Sequence, residues 1–148
     1  MSVSPTQELV DAWRTNQRIN SYLLDRIDAS GMTCTLSKRG GRDVARQFAH
    51  MHDVRVYQLE KRAKHLATGL AKFQGKGAPK VVPSKTELNK ALSASARAVE
   101  ALLRGIAEGA PKMRGFKKGI FTTLSYLVSH EAHHRGRILL TQIGRAHV

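Results

Sequence analysis

Ile120-Phe-Thr-Thr-Leu-Ser-Tyr-Leu-Val-Ser-His-Glu-Ala-His-His-Arg-Gly-Arg-Ile-Leu-Leu140 decides the fold of this chain. At about 100° per residue, Ile120, Leu124, Leu127, Val128, Ile138 and Leu139 fall on one broad stripe of a helix. Glu131 lies near the centre of that stripe. His134 sits on one flank beside Leu127, and His130 lies further out on the same flank. His133 points to the opposite side and reads as a solvated surface residue. Residues four apart share a helix face, so His130 and His134 can hold one cation together. Two imidazoles do not complete a site, so a third ligand must come from elsewhere in the chain.

Three further helical segments precede this one. The first opens with Ser4 as N-cap, Pro5 at the first helical position and Gln7 closing a capping box. Leu9, Trp13, Asn16, Asn20, Leu23, Leu24 and Ile27 then give it an inward face. A loop containing Gly31, Cys34, Gly40 and Gly41 leads to the second helix, expected over 42–65, with Val44, Phe48, Met51, Leu59 and Ala63 inward. A long, polar connection with Gly69, Gly75, Gly77, Pro79 and Pro83 follows. Ser84 and Glu87 form another capping box before Leu88, Leu92, Val99, Leu102, Leu103 and Ile106 of the third helix, which stops at Gly109-Ala-Pro111. No strand-like alternation or internal repeat is present. The expected fold class is all-α: a four-helix bundle with a long crossover between helices 2 and 3.

The third ligand is sought in Phe48-Ala-His-Met-His-Asp-Val-Arg55 of the second helix. On the wheel His52 lies nearer the apolar face and His50 further off, so periodicity favours His52 and leaves His50 open. His65 suits the C-terminal end of its helix as a cation. A carboxylate buried at position 131 needs a partner, which Arg55 or Arg135 can supply. Glu131 is also the nearest candidate for proton transfer at a bound metal. Asn16 and Asn20 read as interhelical hydrogen-bonding residues, with substrate contact as the second reading.

The chain has 148 residues, 41% hydrophobic and 24% charged, which fits one soluble domain. No apolar run reaches the roughly 18–20 residues of a membrane span, and the start of the chain lacks a signal-peptide pattern. Cys34 is the only cysteine, so no internal disulfide forms. A cytoplasmic location is expected. The net charge of +14 favours an anionic small-molecule substrate. The densest basic stretches, 72–85 and 112–118, read as loops. Without a basic helix, an aromatic RNA-binding motif or a finger spacing, nucleic acid is the weaker partner class and a basic, non-enzymatic stress-related bundle the alternative function. The ending Ile143-Gly-Arg-Ala-His-Val148 matches a translated sequencing adapter. The domain is accordingly expected over 1–142, with 143–148 a non-native tail. His130-Glu131-x-x-His134 also spells a zincin motif, but Arg137 stands at the metzincin glycine position and no strand pattern precedes it.

Taken together, Phe48-Ala-His-Met-His-Asp-Val-Arg55, Arg114-Gly-Phe-Lys-Lys-Gly119 and His130-Glu-Ala-His-His-Arg-Gly136 resemble the DinB family of DinB/YfiT-like proteins over 6–142. The resemblance implies an up-down-down-up bundle. It further implies a divalent metal, nickel or zinc, held by one histidine of the second helix and the His-x-x-x-His pair of the fourth. Carried over, the pair is His130 and His134. His50, followed by Met51 and Asp53, matches the family pattern in the second helix, so the resemblance selects His50 over His52. The family position five residues on is often acidic, and here it is Arg55. Family activities include thiol-dependent transferases and isomerases that use small bacterial thiols. The expected function is therefore metal-dependent transferase or hydrolase chemistry on an anionic thiol substrate, with a homodimer as an open expectation. The family name refers to induction by DNA damage, which describes expression and not chemistry.

Overall fold

The computed structural model describes residues 2–75 and 81–146, with no side-chain description for Ala146. Gly77 and Pro79 of the long connection, and His147 and Val148 of the expected tail, lie outside the described residues. Among the described residues the chain is all-helical and no strand forms. Four long helices carry the structure: α1 (Pro5–Arg26), α3 (Val44–Arg62), α4 (Lys85–Ala107) and α5 (Ile120–Ala146). A short helix, α2 (Ala29–Met32), and a 3-10 turn (Lys64–Ala67) complete it. No described helix is long and apolar enough to cross a membrane.

Helix starts follow side-chain capping. Ser4, Asp28, Asp43 and Ser84 each accept a backbone N–H three residues on. The box at Ser84 and Glu87 closes in both directions. The one expected at Ser4 does not, because the Gln7 side chain turns forward to Asp11 at 2.8 Å. The second helix is shorter than the expected 42–65. Asp43 fixes its start by capping Arg46 at 2.8 Å. At its end, Arg114 takes over the last carbonyls, donating from its backbone N–H to Arg62 (3.2 Å) and from its guanidinium to Lys61 (3.4 Å). These bonds satisfy acceptors that continued helix would otherwise use. α2, capped by Asp28, precedes and enters the expected loop at Gly31, and its Met32 plugs the core.

Two apolar clusters fill the interior. One joins Leu24, Ile27, Met32, Val44, Phe48, Met51, Leu88, Leu92 and Ile138. The other joins Trp13, Leu59, Ala63, Val99, Leu102, Leu103 and Leu127. α1 packs on α4 and α5, and α3 packs on α4 and α5. The Trp13 indole N–H reaches the Ala96 carbonyl at 2.9 Å, so its burial leaves no orphan donor. The expected inward faces hold for α1, α3 and α4. On α5, Leu139 is exposed, contrary to the stripe read from sequence, because only Ile138 reaches the core at that level. α5 continues through residues 143–146, and Arg145 pairs with Asp28 at 2.9 Å.

The crossing from α3 to α4 is pinned from α3. Asp53 accepts the backbone N–H groups of Phe73 and Gln74 at 2.8 and 2.9 Å. His52 Nε2 donates to the Ala71 carbonyl at 2.9 Å. These bonds anchor residues 71–74 of the connection to α3.

Candidate metal centre

α3 and α5 face each other with three imidazoles between them. His50 comes from α3, and His130 and His134 stand one turn apart on α5. His130 Nε2 lies 3.3 Å from His50 Nε2 and 3.2 Å from His134 Nε2. The three can offer ligand atoms that all lie within 4.8 Å of one another. A tetrahedral cation about 2.0–2.1 Å from each nitrogen requires nitrogens about 3.3 Å apart. Two of the three separations match that spacing, and the cluster as a whole could hold a metal ion.

Hydrogen bonding prepares the lone pairs. His134 Nδ1 donates to the Gln47 amide oxygen at 2.5 Å. A neutral imidazole with its proton on Nδ1 has its Nε2 lone pair free, and here that atom faces the other two histidines. Burial is the main cause that keeps all three rings neutral. It holds His50 down to about 4, helped by the charges of Arg42 and His130. Burial with the neighbouring His130 and His50 holds His134 down to about 3. Burial lowers His130 as well. The Tyr126 ring stacks near His130, with centroids 6.2 Å apart, and Phe116 packs on Tyr126 at 5.0 Å.

His52, the residue favoured by periodicity, is not part of this group. It is buried against α4, where Ser95 Oγ lies 3.1 Å from Nδ1 while Nε2 serves Ala71. Both of its nitrogens are occupied. The wheel ranked inwardness correctly, since His52 is more buried than His50. The three-histidine cluster lies at the core's edge, which is why the less buried residue joins the pair. His133 is exposed, its ring edge-on to His134. His65 is exposed near the end of α3.

Glu131 occupies a different environment from its histidine neighbours. It is 1% exposed and paired with Arg55, which is fully buried. Arg55 Nε donates to Oε1 at 2.6 Å and Nη2 to Oε2 at 3.0 Å. Asn16 and Asn20 donate to Oε2 at 2.6 and 2.7 Å. Burial pushes the Glu131 carboxyl up, but the Arg55 charge and these hydrogen bonds outweigh it and hold the group below its ordinary value. Arg55 spends its other protons on the Leu92 carbonyl, Ser95 and Gln17, and lies over the Trp13 ring at 4.8 Å. Arg135 closes the network by donating to both asparagine oxygens at 2.7 and 2.8 Å. Both expected arginine partners are thus present, one directly and one through the amides.

Gln47 and Tyr126 were not singled out from sequence. Each has a signal in the spacing. Gln47 stands three residues before His50 on the same helix face, and Tyr126 four before His130.

Comparison of the chain with family models, curated proteins and solved structures finds no match.

Proposed function

We propose that this chain is a metal-dependent enzyme of the DinB-like type, with His50, His130 and His134 holding a divalent cation, zinc or nickel. The observation that carries the reading is the convergence of three imidazoles whose ligand atoms lie within 4.8 Å of one another, with two of the separations at the spacing one tetrahedral ion requires. The two apolar clusters support an up-down-down-up four-helix bundle. The late residues of α1 and α5 share a cluster with the early residues of α3 and α4 (Leu24 and Ile138 with Phe48 and Leu88). The early residues of α1 and α5 share the other with the late residues of α3 and α4 (Trp13 and Leu127 with Leu59 and Leu102).

A cation bound by three protein nitrogens keeps a position open and lowers the pKa of a water or thiol bound there. That property supports thiol-dependent transferase or hydrolase chemistry. The chain's own residues supply the rest. Gln47 fixes the His134 tautomer and ring direction. Arg42, just before α3, is close enough for its charge to weigh on all three histidines, which favours a substrate with an anionic group. Glu131 has every donor contact it can use, so its part in this reading is to hold α5 in register and not to carry a proton.

Metal analysis of the purified protein tests the reading. One equivalent of zinc or nickel is expected, lost in His130→Ala/His134→Ala and in His50→Ala but retained in His52→Ala. Stoichiometric metal in the double variant would remove the site.

A further inference from the structure

A second feature lies away from the histidines, at the end of the molecule where α3 finishes and the chain approaches α5. A cleft of about 680 Å³ is lined there by Lys61, Arg62, Lys64, His65, Lys112 and Arg114. Its acidic lining residue, Glu60, is already paired with Lys72 at 2.9 Å. Lys117 and Lys118 extend the same charge along the turn that leads into α5. Lys61, Lys64, Lys112 and Arg114 are exposed and make no ion pair among the described residues. Like charges held this close cost stability unless a counter-charge spends time among them.

Built backbone shapes this cleft. Arg114 is fastened to the carbonyls of Arg62 and Lys61, and Arg62 to the Gly115 carbonyl at 2.8 Å. Lys112 adopts a left-handed backbone (φ 59°), which costs a lysine energy and turns the chain sharply before Arg114. Met113 is the apolar residue of the lining, and the long side chains of the lysines and arginines around it carry their charges at the rim. Exposed aromatics lie close in sequence to these cations, Tyr57 one turn before Lys61 and Phe121 three residues after Lys118. Tyr57 is 46% exposed and carries the Lys61 ammonium 4.4 Å from its ring centre. Phe121, on the first turn of α5, is 70% exposed.

We propose that this cleft binds single-stranded nucleic acid, taking its phosphates on Lys61, Lys64, Lys112 and Arg114 and stacking bases on Tyr57 and Phe121. A cationic groove with neighbouring aromatic faces is the arrangement that binds single strands without reading sequence. The site is independent of the metal reading: the 12 residues of α3 between His50 and Arg62 span about 18 Å.

The test is fluorescence anisotropy of a labelled 20-nucleotide oligothymidylate, in chelator, across a salt series. With four phosphate contacts the slope of log K against log salt is about −2.8, from roughly −0.7 per contact. Lys61→Glu/Lys64→Glu should weaken binding at least tenfold and flatten the slope by about 1.4. Lys38→Glu/Arg39→Glu makes the same charge change before the start of α3, some 28 Å along that helix, and should cost less than threefold. Tyr57→Ala and Phe121→Ala should each weaken binding about fivefold or more. Lys64→Glu/Lys112→Glu, with the same expected losses, serves if the first variant does not fold by circular dichroism. Absence of binding at low salt overturns the proposal. So do equal losses in the two charge-reversal sites, tighter binding of duplex, or indifference to both aromatic changes, which would leave only a site for phosphate chains.

Discussion

Arg55→Met leaves Glu131 buried with its charge partner gone. In the native protein the carboxylate receives two bonds from Arg55 and one from each asparagine, and both members of the pair are almost wholly buried. Methionine fills comparable volume, so the main cost is an uncompensated charge, about 3–5 kcal/mol. For a chain of this length each kcal/mol moves Tm by about 2–4 °C, so the expected fall is about 6–20 °C at pH 7. The pH dependence should also change sign. Native Glu131 has a pKa below its unfolded value, so its contribution is present above the ordinary glutamate range and fades as pH falls through the lower folded value. Without Arg55, burial dominates and the folded pKa rises above the unfolded one. The variant should then be least penalised in acid and lose stability as pH rises through that range. Urea unfolding at several pH values between about 4 and 8, in chelator, measures both effects. A loss under about 1 kcal/mol at pH 7, or parallel pH slopes in the two proteins, would refute the reasoning. Arg55→Met/Glu131→Leu should recover much of the loss, because it removes the orphaned charge.

Gln47→Ala frees the His134 Nδ1 proton and ring, and should weaken zinc binding about 10–100-fold by competition with a chromophoric chelator. The metal-free protein should lose stability as pH falls from about 6.5 toward 4. The three histidines bind fewer protons folded than unfolded in that window, since burial depresses them. His134→Ala should flatten that acid limb in an equilibrium unfolding series. Glu131→Gln should reduce thermal stability while leaving one metal equivalent bound; loss of metal with an intact fold would give Glu131 a direct role at the ion.

The helices were legible because their signals are local. Ser84 and Glu87 mark a start by their spacing, and the stripe of Leu88, Leu92, Val99 and Leu103 marks a face, with no need of a partner helix. What depends on a partner was not legible. Leu139 lies on the computed stripe, yet no helix covers it, so it stays exposed. The choice between His50 and His52 is of the same kind. Periodicity measures how far a side chain points inward, whereas membership of the cluster depends on facing His130 and His134. Only the position of α5 against α3 decides that, and the wheel of either helix alone does not contain it. The spacing of Gln47 to His50 marks its face, but its bond across to His134 is hidden for the same reason.

The buried ion pair and the histidine cluster join the same two helices. Arg55 stands five residues after His50 on α3, and Glu131 lies between His130 and His134 on α5. A one-residue slip of α5 would turn it about 100° and carry it about 1.5 Å along its axis. That motion would pull Glu131 out of its Arg55, Asn16 and Asn20 contacts at the same moment that it scattered the three imidazoles. A carboxylate with four donor contacts accepts only the register that makes them. Nitrogens must be placed to within a few tenths of an ångström for one cation, about ±0.2 Å. A fixed register on the helices that carry them is therefore a stronger reason for retaining a buried Arg–Glu pair here than any gain in stability.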